Sequence, residues 1–260
     1  MELPPALPLL LVSTARRSKL MPRCRDDCAR QVDISETRVL AVLRRLFPSV
    51  CAVGAKAYGL TAEESFEAEA LAIEAAVASR KIEFSAGRRA ARRALEGAGF
   101  PGAVIPIGPD RSPIWPAGAV GSISHAAGVA VAVAAPAALV SGLGVDVERS
   151  ATLTEELFGQ VMTPGEFDLL RRLPESDQCR YATAVFSIKE AFFKLQFPRT
   201  HTWLDFLDTN VELDRYLPRW QLAVRFPINM GGVNRRYFAG QYWIDEFLTI
   251  AAAFEEAERD

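Results

Sequence analysis

The stretch Gly144-Val145-Asp146-Val147-Glu148 constrains this chain more than any other. Valine and acid alternate in it with the two-residue period of an extended strand, so both carboxylates project from one face and both valines from the other. Asp is disfavoured inside strands, and two neighbouring carboxylates repel each other unless a positive group lies between them. One remedy is a hard divalent cation bound through oxygen, above all Mg²⁺. The alternative is a strand end that carries two solvated acids.

Length and composition indicate the broad class of protein. The chain has 260 residues, enough for one large or two medium domains, and 50% of them are hydrophobic. The formal net charge of −2 gives no basic excess, so neither nucleic acid nor a membrane surface is expected as a partner. No apolar run reaches the ~20 residues of a membrane helix, and no basic residue precedes the apolar segment at 8–12, so we expect no secretory signal and a cytoplasmic location. The four cysteines lack the spacing of a zinc site, and free thiols fit a reducing compartment.

Periodicity, capping boxes and turn residues predict a mixture of helices and strands. Residues 1–35 mix Pro, Arg and Cys without a period, and we expect an N-terminal extension that either packs late or is partly disordered. Helices are expected at 35–46, 61–78, 79–96, 163–174 and 178–195, and strands at 52–58, 101–107, 128–135, 144–148, 222–226 and 237–254.

The helix predicted at residues 79–96 carries a basic face. Arg88 and Arg92 lie four residues apart, as do Arg89 and Arg93, so these arginines are neighbours on the helix surface. Packed like charges repel, which favours binding of a polyanion, most simply phosphate. A basic face that pairs with acids elsewhere in the chain is the alternative.

Ser124 and His125 follow one another in a glycine-flanked segment. Neighbouring side chains on a strand point to opposite faces, so the two residues do not form a nucleophile and its base. A hydroxyl and an imidazole that bind phosphate are one interpretation, and a structural histidine is the other.

The helix predicted at residues 178–195 places charge beside an aromatic stripe. Lys189 falls within the apolar stripe and Glu190 lies next to it, although charged groups are seldom buried without a partner. Glu190 and Lys194 have the spacing of an ordinary surface pair, which is the alternative to the edge of an active site.

Four separated motifs in this order resemble those of the 4′-phosphopantetheinyl transferases, and most closely the bacterial type of enterobactin synthetase component D. The motifs are residues 79–88, 115–125, 144–148 and 186–194. The resemblance covers roughly residues 60–250, and the set is specific although each motif alone is weak. It implies an α/β (α+β) fold of two similar lobes related by a pseudo-twofold, here residues 36–138 and 139–260. It also implies transfer of 4′-phosphopantetheine from coenzyme A to a serine of an apo carrier protein, with release of 3′,5′-ADP.

The resemblance implies site residues as well. Asp146, Glu148 and Glu190 would hold Mg²⁺, or Mn²⁺ in its place, and Glu190 would act as base for the serine. Lys194 would contact the phosphates as a catalytic residue, with Lys189 as a weaker candidate. The remaining coenzyme A contacts would come from Arg80, Arg88, Arg111, Ser124 and His125.

The implied partners are coenzyme A and acyl, peptidyl or aryl carrier domains, and a monomer would hold a complete site. The sequence leaves open whether the carriers belong to fatty-acid, polyketide or nonribosomal-peptide synthesis, siderophores included. We expect apolar residues near Phe192 and Phe193, with nearby basic residues, to form the docking surface. The rival hypotheses are an Mg²⁺-dependent phosphohydrolase and a non-catalytic module that binds coenzyme A or a carrier.

Overall fold

The computed structural model describes residues 34–59, 61, 66–214 and 216–257. Its helices are α1 (Glu36–Leu46), α2 (Glu67–Ala70), α3 (Ala78–Gly97), α4 (Glu155–Val161), α5 (Pro164–Leu170) and α6 (Glu175–Thr200), with 3₁₀ turns at Leu71–Ile73 and Phe206–Asp208. Its strands are β1 (Ala52–Ala57), β2 (Ala119–Ala126), β3 (Val129–Pro136), β4 (Val140–Arg149), β5 (Thr209–Leu213), β6 (Arg219–Met230), β7 (Val233–Ile244) and β8 (Leu248–Glu256).

Two antiparallel sheets repeat one arrangement of elements. The first sheet has the order β1-β3-β2 and the second β4-β8-β7-β6-β5. In the first half, β1 leads to α3 and then to the β2–β3 hairpin, whose second strand pairs with β1. In the second half, β4 leads to α6 and then to the β7–β8 hairpin, whose second strand pairs with β4. This architecture confirms the predicted mixed α/β fold with two similar halves, while the domain boundary at 138/139 stays a prediction.

Each half seats its long helix on a glycine of its first strand. A Cβ at Gly54 of β1 would collide with the carbonyl oxygen of Ala90 in α3, and a Cβ at Gly144 of β4 with that of Ala191 in α6. Both collisions are with backbone atoms, so only glycine permits the observed approach. Gly144 thereby brings α6 directly onto the acidic strand.

Gly144→Ala is expected to destabilise the protein by more than about 3 kcal/mol, because the added methyl must push α6 away from β4. The matched control is Gly159→Ala in the short helix α4, where an added Cβ meets nothing within 4 Å. Alanine there should leave stability unchanged or raise it by about 0.5–1 kcal/mol, since glycine is unfavourable in helices. Urea unfolding measures both variants, and equal midpoints would contradict the close-approach argument.

The two faces of β4 have different surroundings, as its alternation predicts. Val145 and Val147 are fully buried in a core shared with α1, β1, β3 and β8. Asp146 and Glu148 lie on the opposite face, which faces α6, and are 2% and 3% exposed. The carboxylates are therefore not a solvated strand end.

Several segments differ from their predicted forms. The capping box at Thr61–Glu64 falls mostly outside the described residues. Over residues 66–77 of the predicted helix 61–78, the structure has α2 and one 3₁₀ turn before a break at Val77. Residues 101–107 contain no strand and make only the isolated bridge Ile107–Pro113. The Glu69 carboxylate accepts a hydrogen bond from the Ile105 amide, which replaces a strand partner there. Residues 1–33 of the predicted extension, including Cys24 and Cys28, also lie outside the described residues.

The capping box at Thr163–Glu166 is confirmed, with both reciprocal hydrogen bonds present at the start of α5. The helix α6 is longer than predicted and extends to Thr200, so Phe197 and Arg199 belong to the helix that carries Glu190. Within the described part of the chain, no helix is long and apolar enough to cross a membrane.

Candidate active site

A cleft of about 250 Å³ opens where α3 and β2 of the first half face β4 and α6 of the second. Most of the residues that the sequence predicts for the site line this cleft although they are far apart in the chain. They are Arg80, Arg88, Arg111, Ser124, His125, Asp146, Glu190 and Lys194. Of the predicted residues, Glu148 and Lys189 do not line it.

Serine hydroxyls of β2 join the two halves at the floor of the cleft. The amides of Val145 and Val147 donate to Ser122 Oγ and Ser124 Oγ over 3.0 and 3.3 Å. Ser124 Oγ in turn donates to Asp146 Oδ1 over 2.8 Å. The hydroxyl proton of Ser124 is thus directed to Asp146, which corrects the prediction that Ser124 donates to a phosphate. Ser122, in the same motif, was not predicted as a site residue.

Asp146 is held by two groups and keeps one oxygen for a further ligand. Lys194 Nζ donates to Asp146 Oδ1 over 2.7 Å and to the Val145 carbonyl over 3.2 Å. Asp146 Oδ2 is buried and accepts no hydrogen bond from the described residues. A buried carboxylate oxygen without a donor is costly, so a cation or a donor from a ligand is expected at this atom.

The acidic residues suit Mg²⁺ by their chemistry, although the described residues contain no group of three His, Cys, Asp or Glu side chains close enough to hold a metal. Mg²⁺ commonly takes one or two carboxylates and completes its shell with water and substrate phosphates. Asp146 and Glu190 on the cleft wall supply two carboxylates, and the buried Asp146 Oδ2, which accepts no hydrogen bond from the described residues, fits such a role. Glu148 lies behind them, opposite Thr249 of β8.

Arg88 is a buried cation on the opposite wall. It is 5% exposed, its guanidinium lies 4.4 Å from the centroid of the Phe84 ring, and its Nε has no hydrogen-bond partner among the described residues. Burial lowers the pKa of Arg88 to about 10, and the charge of Glu69 opposes this shift. Arg88 therefore stays charged at neutral pH, and a buried charge with a free donor favours an anionic ligand.

Arg80 and His125 meet at the same wall. Arg80 Nη1 lies 3.1 Å from His125 Nε2, and a Glu83 oxygen lies 3.9 Å from Arg80 Nη1 and 3.8 Å from His125 Nδ1. Because β2 is a strand, His125 points away from Ser124, as predicted. The guanidinium of Arg80 and the imidazole of His125 therefore lie side by side in the cleft, which Arg88 also lines.

Arg111 enters the cleft from a tight turn. Its φ of 68° lies in the left-handed region that non-glycine residues rarely adopt. The turn is held because Arg111 N donates to the Gly108 carbonyl and the Asp110 carboxylate accepts from Ser112 N and Oγ. Such strained backbone is typical of ligand sites, which supports the predicted cleft position of Arg111.

Lys189 lies in the interior of the second half, which contradicts its predicted contact with phosphate. Its Nζ donates to Glu166 Oε2 over 2.8 Å and to the carbonyls of Val161, Phe206 and Thr209 over 2.8–2.9 Å. Burial lowers the pKa of this ammonium, and Glu166 opposes the shift. With four acceptors around it, Nζ has no donor left for a ligand in the cleft.

Other basic residues of α3 bind acids of the first half. Arg92 Nη1 lies 2.7 Å from Glu69, and Arg93 Nη1 lies 2.6 Å from Glu36. For these two arginines the pairing alternative is correct, and of the basic residues of this helix Arg80 and Arg88 line the cleft.

Aromatic residues, among them Trp115, Phe193 and Phe197, give the cleft an apolar lining that the sequence analysis did not assign to it. Phe193 and Phe197 stack with centroids 4.9 Å apart, and Trp203 meets Phe193 edge-on at 5.5 Å. Trp115 packs so closely under Gly121 that a Cβ on that glycine would lie 2.6 Å from the indole ring. The spacing of Phe193 and Phe197, one helical turn apart, was the available signal.

Phe192, the neighbour of Phe193 on α6, lies in the core of the second half. It is 1% exposed and packs on the Phe238 ring with centroids 4.6 Å apart. The docking surface predicted around Phe192 and Phe193 therefore cannot include Phe192.

Comparison with known proteins agrees with this geometry. The family model of the 4′-phosphopantetheinyl transferase N-terminal domain matches residues 67–135, and that of the 4′-phosphopantetheinyl transferase superfamily matches residues 142–223. A holo-(acyl-carrier-protein) synthase from Bacillus anthracis, solved with CoA (3′,5′-ADP), aligns at 15% identity over 46% of this chain and 100% of that chain. Its TM-score of 0.32 is too low to inform the fold.

Relatives of known activity cover much of the chain. The 4′-phosphopantetheinyl transferase PptT of Mycobacterium tuberculosis is 35% identical, over 58% of this chain and 66% of that protein. The 4′-phosphopantetheinyl transferase Svp of Streptomyces mobaraensis is 31% identical, over 74% and 81%. Enterobactin synthase component D of Escherichia coli (strain K12) is 32% identical, over 58% and 76%. Because Svp is 31% identical and 81% of its length is covered, and the two family models match adjoining parts of the chain, the chain belongs to the 4′-phosphopantetheinyl transferase superfamily and is an enzyme of that class.

Proposed function

We propose that the protein transfers the 4′-phosphopantetheine group of coenzyme A to a serine hydroxyl of an apo carrier protein. The observation that carries the proposal is a single cleft with carboxylates and Lys194 on one wall and Arg80, Arg88 and His125 on the other. A pyrophosphate between these walls meets cations on one side and a metal-binding acid pair on the other, which is the requirement of phosphoryl transfer.

The reaction exchanges one phosphorus–oxygen bond for another. The serine oxygen forms a bond to the β-phosphorus of coenzyme A, while the bond from that phosphorus to the bridging oxygen breaks. 3′,5′-ADP leaves with the bridging oxygen. Glu190 accepts the serine proton, directly or through one water, since it is the carboxylate of α6 on the cleft wall.

Cations of the chain stabilise the charge that develops. Lys194 Nζ is partly exposed to the cleft and, from its place beside Asp146, can reach a phosphate oxygen. Arg88 and Arg80 with His125 bind the phosphates of the nucleotide, the 3′-phosphate included, and Arg111 contributes from its turn. Ser124 acts differently, because it orients the Asp146 carboxylate by its hydrogen bond.

Mg²⁺ or Mn²⁺ belongs to the proposal, held by Asp146 and Glu190 with Glu148 as the third predicted acid. When bound, the ion would neutralise pyrophosphate charge and orient the β-phosphate. Asp146 Oδ2, which lacks a partner among the described residues, supports this assignment.

A cytoplasmic location and a monomeric enzyme also remain part of the proposal. Cys51 and Cys179 are free thiols, which suits a reducing compartment. Residues of one chain form both walls of the cleft, so a single copy has the proposed groups.

Intact mass spectrometry of purified apo carrier proteins tests the proposal. After incubation with the protein, coenzyme A and Mg²⁺, the carrier should gain one phosphopantetheine, roughly 340 Da by formula, and 3′,5′-ADP should appear in equal amount. The gain should disappear when the metal is chelated. Phosphate-containing products of coenzyme A without a carrier would instead indicate a hydrolase, and binding of coenzyme A without either product would indicate a binding module.

A further inference from the structure

Glu83 places a carboxylate on the cationic wall of the cleft, where the nucleotide phosphates are proposed to bind. It lines the cleft together with Arg80, Arg88 and His125, and its side chain is 32% exposed. An acid at this place repels a phosphate, so it weakens anion binding unless it also stabilises the charge of a neighbouring group. The contacts of Glu83 identify His125 as that neighbour.

Helix α3 brings Glu83 and Arg80 to the face that packs against β2. The two residues are three apart, and Gly87, one turn further along, meets β2 directly, because a Cβ there would lie 3.2 Å from Ile123 Cγ2. Ile123 and His125 are two apart on β2 and therefore share the face that meets α3. The placement of Glu83 beside His125 thus follows from the packing of a helix on a strand.

The contact between Arg80 and His125 fixes the position of the imidazole proton. A guanidinium can only donate, so His125 Nε2, which lies 3.1 Å from Arg80 Nη1, accepts with its lone pair. A neutral imidazole then carries its proton on Nδ1, and that atom is buried and lies 3.8 Å from Glu83 Oε2. In this form His125 has no proton on Nε2 with which to bind a phosphate oxygen.

Two charges of opposite sign lie next to the imidazole. Arg80 opposes a second proton on the ring and Glu83 favours it. On the same side of the first sheet, β1 contributes Lys56, which like His125 is opposite Ala130, and Tyr58 follows that strand. The adjacent strand β3 has no titratable side chain. The other titratable residues of the cleft are Arg88, Arg111, Asp146, Glu190, Lys194 and Arg199.

A phosphate in the cleft changes the balance between these two charges. It attracts the guanidinium of Arg80 away from Nε2, and its oxygens can accept a hydrogen bond from Nε2 only when that atom carries a proton. The ring takes this proton from solvent, because Nδ1 keeps its own proton beside Glu83. The imidazolium that results lies between phosphate and carboxylate, and both negative groups stabilise it.

We propose that Glu83 is a positioning residue that holds the Nδ1 proton of His125, so that the imidazole binds a phosphate of coenzyme A as imidazolium and binding takes up one proton. This inference rests on the proposed function and adds an acid whose effect on anion binding changes sign with pH. At high pH the carboxylate aids binding, because it favours the proton on Nε2. At low pH the ring is protonated without it, and the repulsion between carboxylate and phosphate is what is left.

Glu83→Gln tests this inference through the dissociation constant of 3′,5′-ADP, measured by isothermal titration calorimetry without metal across about pH 5–9. The variant should bind about tenfold more weakly than the wild type at the basic end, and equally or more tightly at the acidic end, so that the two curves cross. The protonation of the ligand affects both proteins alike and cancels in their ratio. Glu96→Gln, on an exposed part of the same helix, is the matched control and should follow the wild type throughout.

The proton uptake itself is measured at the basic end in buffers that differ in ionisation enthalpy. Wild-type binding should take up about one proton, and His125→Gln should abolish the uptake. Binding without proton uptake overturns the inference, and so does an absence of 3′,5′-ADP binding. A Glu83→Gln variant that is weaker by one factor at every pH, or tighter at every pH, also overturns it, because Glu83 would then be structural or merely repulsive.

Transfer to an apo carrier, followed by intact mass, separates this inference from the proposed function. If the wild type modifies the carrier but binds 3′,5′-ADP without proton uptake, the inference fails and the proposed function stands. If proton uptake and the crossing of the two curves are observed while no carrier is modified, the role of Glu83 in anion binding stands and the proposed transfer fails.

Discussion

Glu190→Gln is expected to reduce transfer to the carrier by about 10²–10⁴-fold, because the amide can neither take the serine proton nor supply an anionic metal ligand. The change is nearly isosteric, so the fold and the cleft should be retained. Single-turnover transfer followed by intact mass measures the loss, and it should appear in kcat rather than in the KM for the carrier.

Glu175→Gln is the matched control for this variant. Glu175 lies on the same helix, α6, but is exposed in the first turn, so its amide should leave transfer within about twofold. If the Glu190→Gln variant still transfers phosphopantetheine, the proposed function stands, but a group other than Glu190 accepts the serine proton. Loss of transfer in both variants would point to damage of α6 rather than to lost chemistry.

Lys189→Met is expected to destabilise the protein by about 3–5 kcal/mol, because it leaves the Glu166 carboxylate buried without its cation. The side chains of Lys189 and Glu166 are 2% and 0% exposed, so water cannot replace the lost contact. For a chain of this size the melting temperature should fall by roughly 10 °C. Urea unfolding and differential scanning calorimetry measure the two quantities.

The double variant Lys189→Met/Glu166→Gln should recover part of that loss. Removing both charges avoids an unpaired buried carboxylate, although Glu166 also accepts from the Val211 and Thr163 amides over 2.6 and 2.7 Å. The two roles considered for Lys189 predict different results. A phosphate ligand would raise the KM for coenzyme A at unchanged stability, and that outcome would contradict the interior role.

The motif at Gly144–Glu148 shows how far local pattern can be read. Its two-residue period predicted that Asp146 and Glu148 share a face and that the valines are buried, and the structure confirms both. The sequence could predict this because the geometry of a strand alone decides to which face of the sheet each side chain points. It could not indicate that Asp146 lines the cleft and Glu148 does not, since that depends on where α6 and β2 pack.

The arginines of α3 show what the local sequence pattern cannot predict. Arg88 and Arg92 lie about one turn apart on the same face of α3, yet Arg88 lines the cleft and Arg92 binds Glu69. Glu69 lies 23 residues from Arg92 in sequence, so no spacing within the helix reveals the pair. The long-range contact between Glu69 of α2 and Arg92 of α3 makes that choice.

Long-range contacts also give Lys189 and Lys194 different roles. Both belong to one motif on α6, but because they are five residues apart they point to different sides of the helix. Carbonyls from Val161, Phe206 and Thr209 converge on Lys189, whereas Asp146 of β4 holds Lys194 at the cleft. The sequence by itself determined the faces of β4 and the family, because these follow from backbone period and motif order. Only the tertiary structure decided which charged groups meet the cleft, because a buried charge is placed by partners that are distant along the chain.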